Sequence, residues 1–204
     1  MTAVEETVKN FFTAYPTQEY GKGDIIIFAY KDIPPVHYLV NGRVAQYDLS
    51  DDARKNTLTV YKPGTFFPMS GALAGIPNNH FFEALTAVTV HVVPAADAAA
   101  FVRQHPEVAY DLLTRLYKGM YGLLSRMSLL MDGTAEKRLL LELQIAADRF
   151  GERTADGDVH IAMTEAQLAS QSGLARETIS RQLKKLSESG AITRHRGGIT
   201  IKQM

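Results

Sequence analysis

One segment of this 204-residue chain carries an apolar repeat that fits a long helix with a partner helix beside it. Between residues 109 and 130, apolar side chains recur at alternating intervals of four and three residues. This seven-residue repeat forms one narrow stripe, which is typical of a coiled-coil seam. A helix over residues 106–131 would be about 39 Å long at about 1.5 Å per residue. The stripe predicts a homodimer interface formed by Leu113, Leu116, Met120, Leu123, Met127 and Leu130. The alternative is a long core helix that packs on its own domain, and Leu112, Leu124 and Leu129 beside the stripe favour such packing along one flank.

The composition is that of an ordinary folded protein, with 46% hydrophobic and 22% charged residues. The chain has no cysteine, which excludes disulfides, thiolate nucleophiles, zinc fingers and cysteine-ligated iron–sulfur clusters. Its first residues are acidic, and no apolar run is long enough for a signal peptide or a spanning helix. We therefore expect a cytoplasmic protein with no membrane partner.

Residues 20–93 consist of short apolar or alternating runs separated by turn residues. These runs predict strands near 23–29, 36–40, 43–49, 55–61, 64–69, 80–86 and 88–93. So many short strands indicate a barrel or a jelly roll. Asn41 and Gly42 separate two of the runs, and because both residue types tolerate positive φ we predict a two-residue hairpin turn there.

After Pro94 the apolar period changes to that of helices. We predict a short helix near 95–103 and the long helix from Pro106, since proline suits the first turn of a helix. Gly133 and Thr134 interrupt the pattern and predict a hinge and a domain boundary. A helix near 135–149, a polar loop over 152–158 and a short strand near 160–163 follow.

The segment from Thr164 predicts a helix-turn-helix. Thr164 and Gln167 have the spacing of a capping box, which opens a short helix. A helix-turn-helix needs a small residue where the two helices cross, glycine at the turn and apolar residues between the helices. The residues at these positions are Leu168, Ala169, Gly173, Leu174, Ile179, Leu183 and Leu186. Two β-rich runs joined by Gly197 and Gly198 come next and would form the wing of a winged helix.

Positive charge is concentrated in this last segment. The whole chain has 22 basic and 22 acidic side chains, whereas residues 174–204 have seven basic and two acidic ones, so 7 − 2 gives a net charge of +5. A local positive field of this kind is typical of a surface that binds nucleic acid. The alternative is an ordinary solvated helix face that has this charge by chance.

The stretch from residue 164 to 192, above all the run Leu174 to Leu186 (LARETISRQLKKL), resembles the recognition motif of the CRP/FNR transcription regulators. The predicted order of elements resembles that family along essentially the whole chain. The resemblance implies an α+β protein with an N-terminal β-roll of the cyclic-nucleotide-binding jelly-roll type over 1–105, a long dimerisation helix over 106–131 and a C-terminal winged helix-turn-helix domain over 132–204. It also implies a homodimer that binds double-stranded DNA at a palindrome and contacts RNA polymerase.

Four side chains near the start of the second helix of the motif are candidates for base contacts: Arg176, Glu177, Ser180 and Arg181. They share one helix face. Arginine can donate to guanine and glutamate can accept from cytosine. For Glu177 the alternative is a salt bridge to Arg181 on a solvated face. The resemblance implies that a second set contacts phosphates: Thr164, Thr178, Lys184, Arg194 and His195.

The sequence departs from the family's cyclic-nucleotide cassette. The segments 68–75 and 78–81 lack the expected Gly-Glu and Arg-Ser pairs, and no Lys or Arg occurs between Lys62 and Arg103. Because a cyclic phosphate needs a cation in a partly desolvated pocket, we predict no cyclic AMP binding. The positions that match the family's effector pocket, with two helix residues that could reach it, are Met69, Ser70, Asn79, His80, Tyr121 and Met127.

No cofactor is predicted, although His37, His80, His91 and Met69 leave haem ligation open as an alternative. His80, Glu83 and His91 lack the close His-x-His pair of jelly-roll metalloenzymes, and no nucleophile and base pair stands out, so we predict no enzyme. Two forms of regulation stay open: an unknown small-molecule effector, or activity set by protein abundance alone. A different class of function is a small-molecule or haem sensor whose winged helix contacts proteins instead of DNA.

Overall fold

A computed structural model describes residues 2–30 and 32–202. The chain divides into two compact units, Met1–Tyr117 and Lys118–Met204. The outermost residues of the predicted domains, Met1 and Met204, lie outside the described residues. The predicted domain boundaries after residues 105 and 131 stay predictions. Across residues 2–30 and 32–202, no helix combines the length and the apolar character that a bilayer crossing needs.

The first unit contains two four-stranded antiparallel sheets, and this β-roll confirms the predicted jelly-roll class. The first sheet has the strand order β1-β8-β3-β6, and the second has the order β2-β7-β4-β5. In chain order, the unit consists of α1 (Ala3–Phe12), β1 (Thr17–Tyr20), β2 (Ile25–Ile27), β3 (Val36–Asn41), β4 (Val44–Leu49), β5 (Lys55–Tyr61), β6 (Phe66–Phe67), α2 (Ser70–Ala74), β7 (Phe81–Ala84), β8 (Val88–Val93) and α3 (Ala95–Gln104).

The core of the β-roll lies between the two sheets. Leu39 and Val90 from the first sheet and Val44 and Phe82 from the second are fully buried in one cluster. On the outer face of the first sheet, a second cluster forms with the helices. There the ring of Phe12 stacks on that of Tyr38, with centroids 5.0 Å apart. Burial of these side chains is the main stabilising contribution to the unit.

The predicted hairpin at Asn41 and Gly42 is wrong. β3 pairs with β6 and β8, whereas β4 pairs with β5 and β7, so the chain crosses here from one sheet to the other. Gly42 has a φ of 92°, and a Cβ on it would lie 2.3 Å from the carbonyl oxygen of Ala87. The glycine is therefore required by a close approach between two segments of backbone, not by a hairpin turn.

Three elements of this unit were not predicted: α1, β1 and α2. Helix α1 begins with a capping box between Thr2 and Glu5, and it buries Val8 and Phe12. The expected strands 23–29, 64–69 and 80–86 are shorter, because their ends belong to turns, bends and irregular loops. In the second unit, the expected loop over 152–158 begins with a short strand.

The long helix α4 (Pro106–Asp132) begins at the predicted proline and spans 27 residues. At its start Val108 is fully buried, and Ala109 and Leu112 pack against the second cluster of the β-roll. This contact confirms the expected packing of one flank for Leu112. Leu124, further along α4 in the second unit, is 59% exposed.

The second unit contains α5 (Ala135–Phe150), β9 (Glu152–Arg153), β10 (Val159–Ile161), α6 (Glu165–Ser172), α7 (Arg176–Glu188), β11 (Ile192–His195) and β12 (Gly198–Ile201). Its strands form one sheet with the order β11-β12-β10-β9. Leu139, Leu168, Ile179 and Leu183 form a fully buried centre in which α5, α6 and α7 meet. The predicted architecture of a β-roll, a long helix and a C-terminal winged helix-turn-helix is confirmed.

A buried ion pair joins α5 to the last third of α4. The Nε and Nη2 atoms of Arg126 donate to the two carboxylate oxygens of Glu142 at 2.6 and 2.8 Å. The side chain of Glu142 is 2% exposed and that of Arg126 is 21% exposed. The hydrogen bonds to Glu142 raise the pKa of Arg126, so the guanidinium is charged at every ordinary pH.

Candidate nucleic-acid interface

Helix α7 has an apolar face and a charged face. Ile179, Leu183 and Leu186 lie in the core of the second unit. Arg176, Glu177 and Arg181, three of the four predicted base contacts, are exposed on the other side, and Ser180 is half-buried. The helix therefore presents the predicted residues together near its N-terminal end, as a recognition helix requires.

The alternative interpretation of Glu177 receives no support from the geometry. Within residues 2–30 and 32–202, the ion pairs with N to O distances up to 4.0 Å include none between Glu177 and Arg181. The i,i+4 pair on this helix joins Lys184 to Glu188 instead, at 3.8 Å. Both of those side chains are largely exposed, so the contact is weak.

The start of α6 has the predicted capping box. Thr164 Oγ1 accepts from the backbone N–H of Gln167 at 3.2 Å, and Gln167 Oε1 accepts from the backbone N–H of Thr164 at 2.8 Å. The turn after α6 is fixed by Arg138, whose Nη2 donates to the carbonyl oxygen of Ser172 at 2.7 Å. Gly173, the residue that ends α6, has a φ of 65°. These contacts hold α6 and α7 in the helix-turn-helix arrangement.

The predicted phosphate contacts lie on three elements of this unit. Thr164 caps α6, Thr178 is half-buried on α7, and Lys184 is exposed further along α7. Arg194, on β11, forms a salt bridge with Glu165 at the start of α6. Binding of a phosphate by Arg194 would thus compete with Glu165, which lowers its expected contribution.

His195 of the wing is part of a group that the sequence did not indicate. Its Nε2 lies 3.0 Å from Thr200 Oγ1, and Nδ1 of His160 lies 3.2 Å from the same oxygen. His160, on β10, is the cross-strand partner of Thr200, on β12. The 40 residues that separate them explain why no local pattern indicated this contact.

The predicted effector positions of the β-roll have different surroundings, and their role stays a prediction. Met69 packs against the helical cluster, whereas Ser70 and Asn79 are exposed. His80 Nδ1 lies 2.6 Å from Asp48 Oδ1, so a carboxylate lies close to a position where the family cassette has its cation. The neighbouring Asn78 is buried and holds the loop through the carbonyl oxygens of Phe28 and His80, at 3.0 and 2.7 Å. This arrangement disfavours an anionic ligand.

The other two effector candidates, Tyr121 and Met127, belong to α4 in the second unit and are 76% and 51% exposed. Of the possible haem ligands, His37 is buried, and its pKa is lowered to about 4 by that burial. His91 Nδ1 lies 2.9 Å from the carbonyl oxygen of Tyr15. Among the residues that the structure describes, no three of His, Cys, Asp and Glu lie close enough to hold a metal ion.

The predicted dimer seam is an exposed apolar stripe in the single chain. Its six side chains are between 47% and 59% exposed: Leu113, Leu116, Met120, Leu123, Met127 and Leu130. A stripe of this length on one helix is far more apolar than water-facing helices normally are.

Two family models match the chain. Residues 17–105 match the cyclic nucleotide-binding domain, and residues 137–204 match the Crp-like helix-turn-helix domain. A curated relative, the "Probable transcriptional regulator flp" of Lacticaseibacillus casei, is 32% identical over 163 residues, which are 78% of this chain and 71% of that protein. The "Transcriptional regulator SdrP" of Thermus thermophilus is 25% identical over 205 residues and covers 98% of this chain and 92% of that protein.

Solved structures share the fold. The c-di-GMP responsive global regulator CLP of Xanthomonas campestris superposes with a TM-score of 0.81 at 16% identity, with 98% of this chain and 99% of that chain covered. The FixK2 protein of Bradyrhizobium japonicum has a TM-score of 0.77 at 23% identity, with 93% of each chain covered.

Proposed function

Since the chain belongs to the CRP/FNR family of transcriptional regulators, we propose that it acts as a homodimer on a palindromic DNA site. The observation that carries this proposal is the exposed charged face of α7, where Arg176, Glu177 and Arg181 lie together. These side chains can form the donor and acceptor pairs that distinguish base pairs in the major groove. Ser180 completes the face.

The phosphate contacts would come from both sides of α7. Thr164 and Thr178 lie at the helix-turn-helix, and His195 lies on the wing. Lys184 and Arg194 would add positive charge, although each is near a carboxylate in the free protein. Contacts of this kind fix the register of the protein on DNA and make its affinity depend on salt.

Dimerisation would occur through the exposed stripe of α4. Two copies of this helix side by side would bury the stripe on both chains and so remove the exposed apolar surface. The two recognition helices would then enter successive major grooves about 34 Å apart, which explains why the site should be a palindrome. RNA polymerase and the cytoplasm, where bacterial DNA lies, are the expected partner and location.

Regulation by cyclic AMP is not part of the proposal, because the Asp48 carboxylate lies beside His80 where a cyclic phosphate would need a cation. We propose that the protein binds DNA without a nucleotide effector. Control would then come from its abundance or from a ligand that carries no phosphate.

The first experiment is selection of DNA from a random pool by the purified protein with no added ligand. Enrichment of a palindrome, bound with a Kd in the nanomolar range, is the expected result. Affinity should fall steeply between two salt concentrations. If no sequence is enriched and the amount of retained DNA is the same at both salt concentrations, the winged helix does not bind DNA phosphates and the proposal is wrong.

A substitution tests the base contacts. Arg181→Ala should weaken binding to the selected site by roughly 1–3 kcal/mol per half-site, while binding to random DNA changes little. The control is Arg103→Ala, which removes an exposed arginine from the β-roll unit and should affect neither affinity. An equal loss on both DNAs for Arg181→Ala would contradict a base contact.

A further inference from the structure

We propose that His160 is a positioning residue of the wing: through the hydroxyl of Thr200, it sets the hydrogen-bond donor that His195 offers to a DNA phosphate. The inference rests on the proposed DNA binding and adds a residue and a pH dependence to it. The motif around α7 does not include His160.

Two imidazole rings converge on one hydroxyl. Thr200 Oγ1 lies 3.2 Å from His160 Nδ1 and 3.0 Å from His195 Nε2. The two ring centroids are 5.8 Å apart, and the planes are inclined by 62°. Thr200 is only 8% exposed, and its hydroxyl lies within hydrogen-bond distance of both ring nitrogens.

The register of the wing sheet produces this group. His160 lies opposite Thr200, and Thr200 lies opposite Thr193, so the three side chains share one face of the sheet. The opposite face carries Ile161 and Ile199, which lie in the core. His195 is two residues from Thr193 and therefore belongs to the same face as His160.

The turn of the wing also packs on His160. A Cβ on Gly198 would lie 2.5 Å from Cε1 and 2.8 Å from Nε2 of the His160 ring. Because Gly198 is the cross-strand partner of His195, the His160 ring contacts the wing strand at the level of His195. A larger residue than glycine would push the ring away from this place.

The hydroxyl couples the two rings, since it has one proton to donate. If His160 Nδ1–H donates to Thr200, the hydroxyl donates to His195 Nε2, and the proton of His195 must then be on Nδ1. In this arrangement His195 Nδ1–H points away from Thr200 and can donate to a phosphate. If Thr200 instead donates to His160, His195 Nε2–H donates to Thr200 and a neutral His195 has no donor left.

Protonation of His160 selects the first arrangement. A charged imidazole has N–H groups at both nitrogens, so its Nδ1 can only donate. Histidine side chains generally change charge between about pH 5 and 8. DNA affinity should therefore rise as the pH falls from 8 to 6, and protons should be taken up when the complex forms.

The charged groups around the pair do not supply another titration in this range. Glu152 on β9 is the cross-strand neighbour of His160. Other charged residues lie next to the pair. Arg194 forms a salt bridge with Glu165, Lys202 forms one with Asp158, and Arg196 is exposed. Arginine and lysine stay charged, and carboxylates ionised, between pH 6 and 8.

Three variants distinguish hydrogen bonding through the Thr200 hydroxyl from simple packing. Thr200→Val removes the shared hydroxyl with little change in volume. His160→Asn keeps a side-chain donor that cannot titrate, and His160→Leu removes the donor. The matched control is Thr193→Val, the same change on the same face of the sheet.

The assay is fluorescence anisotropy with the selected palindrome and with random DNA, from pH 6.0 to 8.5 at fixed salt. At pH 6.5, Thr200→Val and His160→Leu should lose about fivefold in affinity per half-site, the effect of one hydrogen bond. His160→Asn should recover most of this loss but show a smaller change of affinity with pH than the natural chain. Thr193→Val should behave like the natural chain.

The ¹⁵N chemical shifts of the imidazole groups provide a second readout, which also serves if His160→Leu does not fold. His195 should be protonated on Nδ1 in the free protein at pH 6.5. A His195 protonated only on Nε2, or equal pH dependence in Thr200→Val and the natural chain, would overturn the inference. If no variant and no pH gives specific binding, the failure belongs to the proposed DNA binding instead.

Discussion

Removal of the Glu142 carboxylate should destabilise the second unit. In Glu142→Gln, the half-buried guanidinium of Arg126 would lose the anion that accepts its two hydrogen bonds. Breaking a buried pair in this way costs about 3–5 kcal/mol. The Arg126 side chain is 21% exposed, so water compensates part of the loss, and we expect about 2–3 kcal/mol.

Calorimetry of the full chain measures this change. The transition of the second unit should move down by roughly 10–20 °C, because about 1 kcal/mol shifts the Tm of a domain of this size by about 4–8 °C. Since the pKa of Arg126 is raised, its contribution to stability is fully present below the ordinary arginine pKa and is lost only above it. The shift should therefore be the same at pH 6 and pH 8.

Two controls make the result interpretable. Glu188→Gln removes one partner of the exposed pair with Lys184 and should cost less than about 0.5 kcal/mol. Replacement of both Arg126 and Glu142 by leucine should be less damaging than Glu142→Gln alone, because no uncompensated charge is left. A loss below about 0.5 kcal/mol in Glu142→Gln, or a double variant worse than the single one, would refute the reasoning.

Three other predictions concern the β-roll and the dimer. Burial lowers the pKa of His37 to about 4, so the unfolded chain binds more protons between pH 6.5 and 4, and the β-roll should lose about 3 kcal/mol of stability over that range. Urea unfolding against pH checks this, and an equally steep pH dependence in His37→Gln would contradict it. Gly42→Ala should cost more than about 2 kcal/mol of stability, because its Cβ would lie 2.3 Å from a carbonyl oxygen. Gly64→Ala, also at positive φ but in open space, should cost less. Equal Tm losses for the two variants would count against this prediction. Leu116→Glu should raise the dimer dissociation constant at least tenfold in analytical ultracentrifugation, and Lys118→Glu, which is outside the stripe, should not.

The second unit was predictable because its signals are local. Thr134 and Thr164 cap α5 and α6, and Gly173 ends α6, each within a few residues of the chain that it orders. The family followed from the residues of α7 and is confirmed by the relatives and the family models. Caps, periods and motifs of this kind need no knowledge of distant contacts.

The β-roll was less predictable because its pairings are not local. Asn41 and Gly42 have the composition of a hairpin turn, but the close approach of residues 86–88 and the pairing of β3 with β8 decide the path. Helix α1 was not predicted, although Thr2 and Glu5 form a capping box. Its two core residues, Val8 and Phe12, pack against a sheet whose strands come much later in the chain. For the site, the charged face of α7 could be predicted, but the contact between His160 and Thr200 depends on the register of two strands.

If α4 forms the proposed dimer, its apolar stripe would also determine how gene dosage translates into DNA occupancy. The stripe residues are 47–59% exposed in the single chain, so in the proposed dimer the monomer and the dimer would be in an equilibrium that depends on concentration. Below the dissociation constant, the amount of dimer rises with the square of the monomer concentration, so a twofold change in synthesis would change promoter occupancy about fourfold. The side chains of one helix would thus give the regulator a threshold response without any ligand.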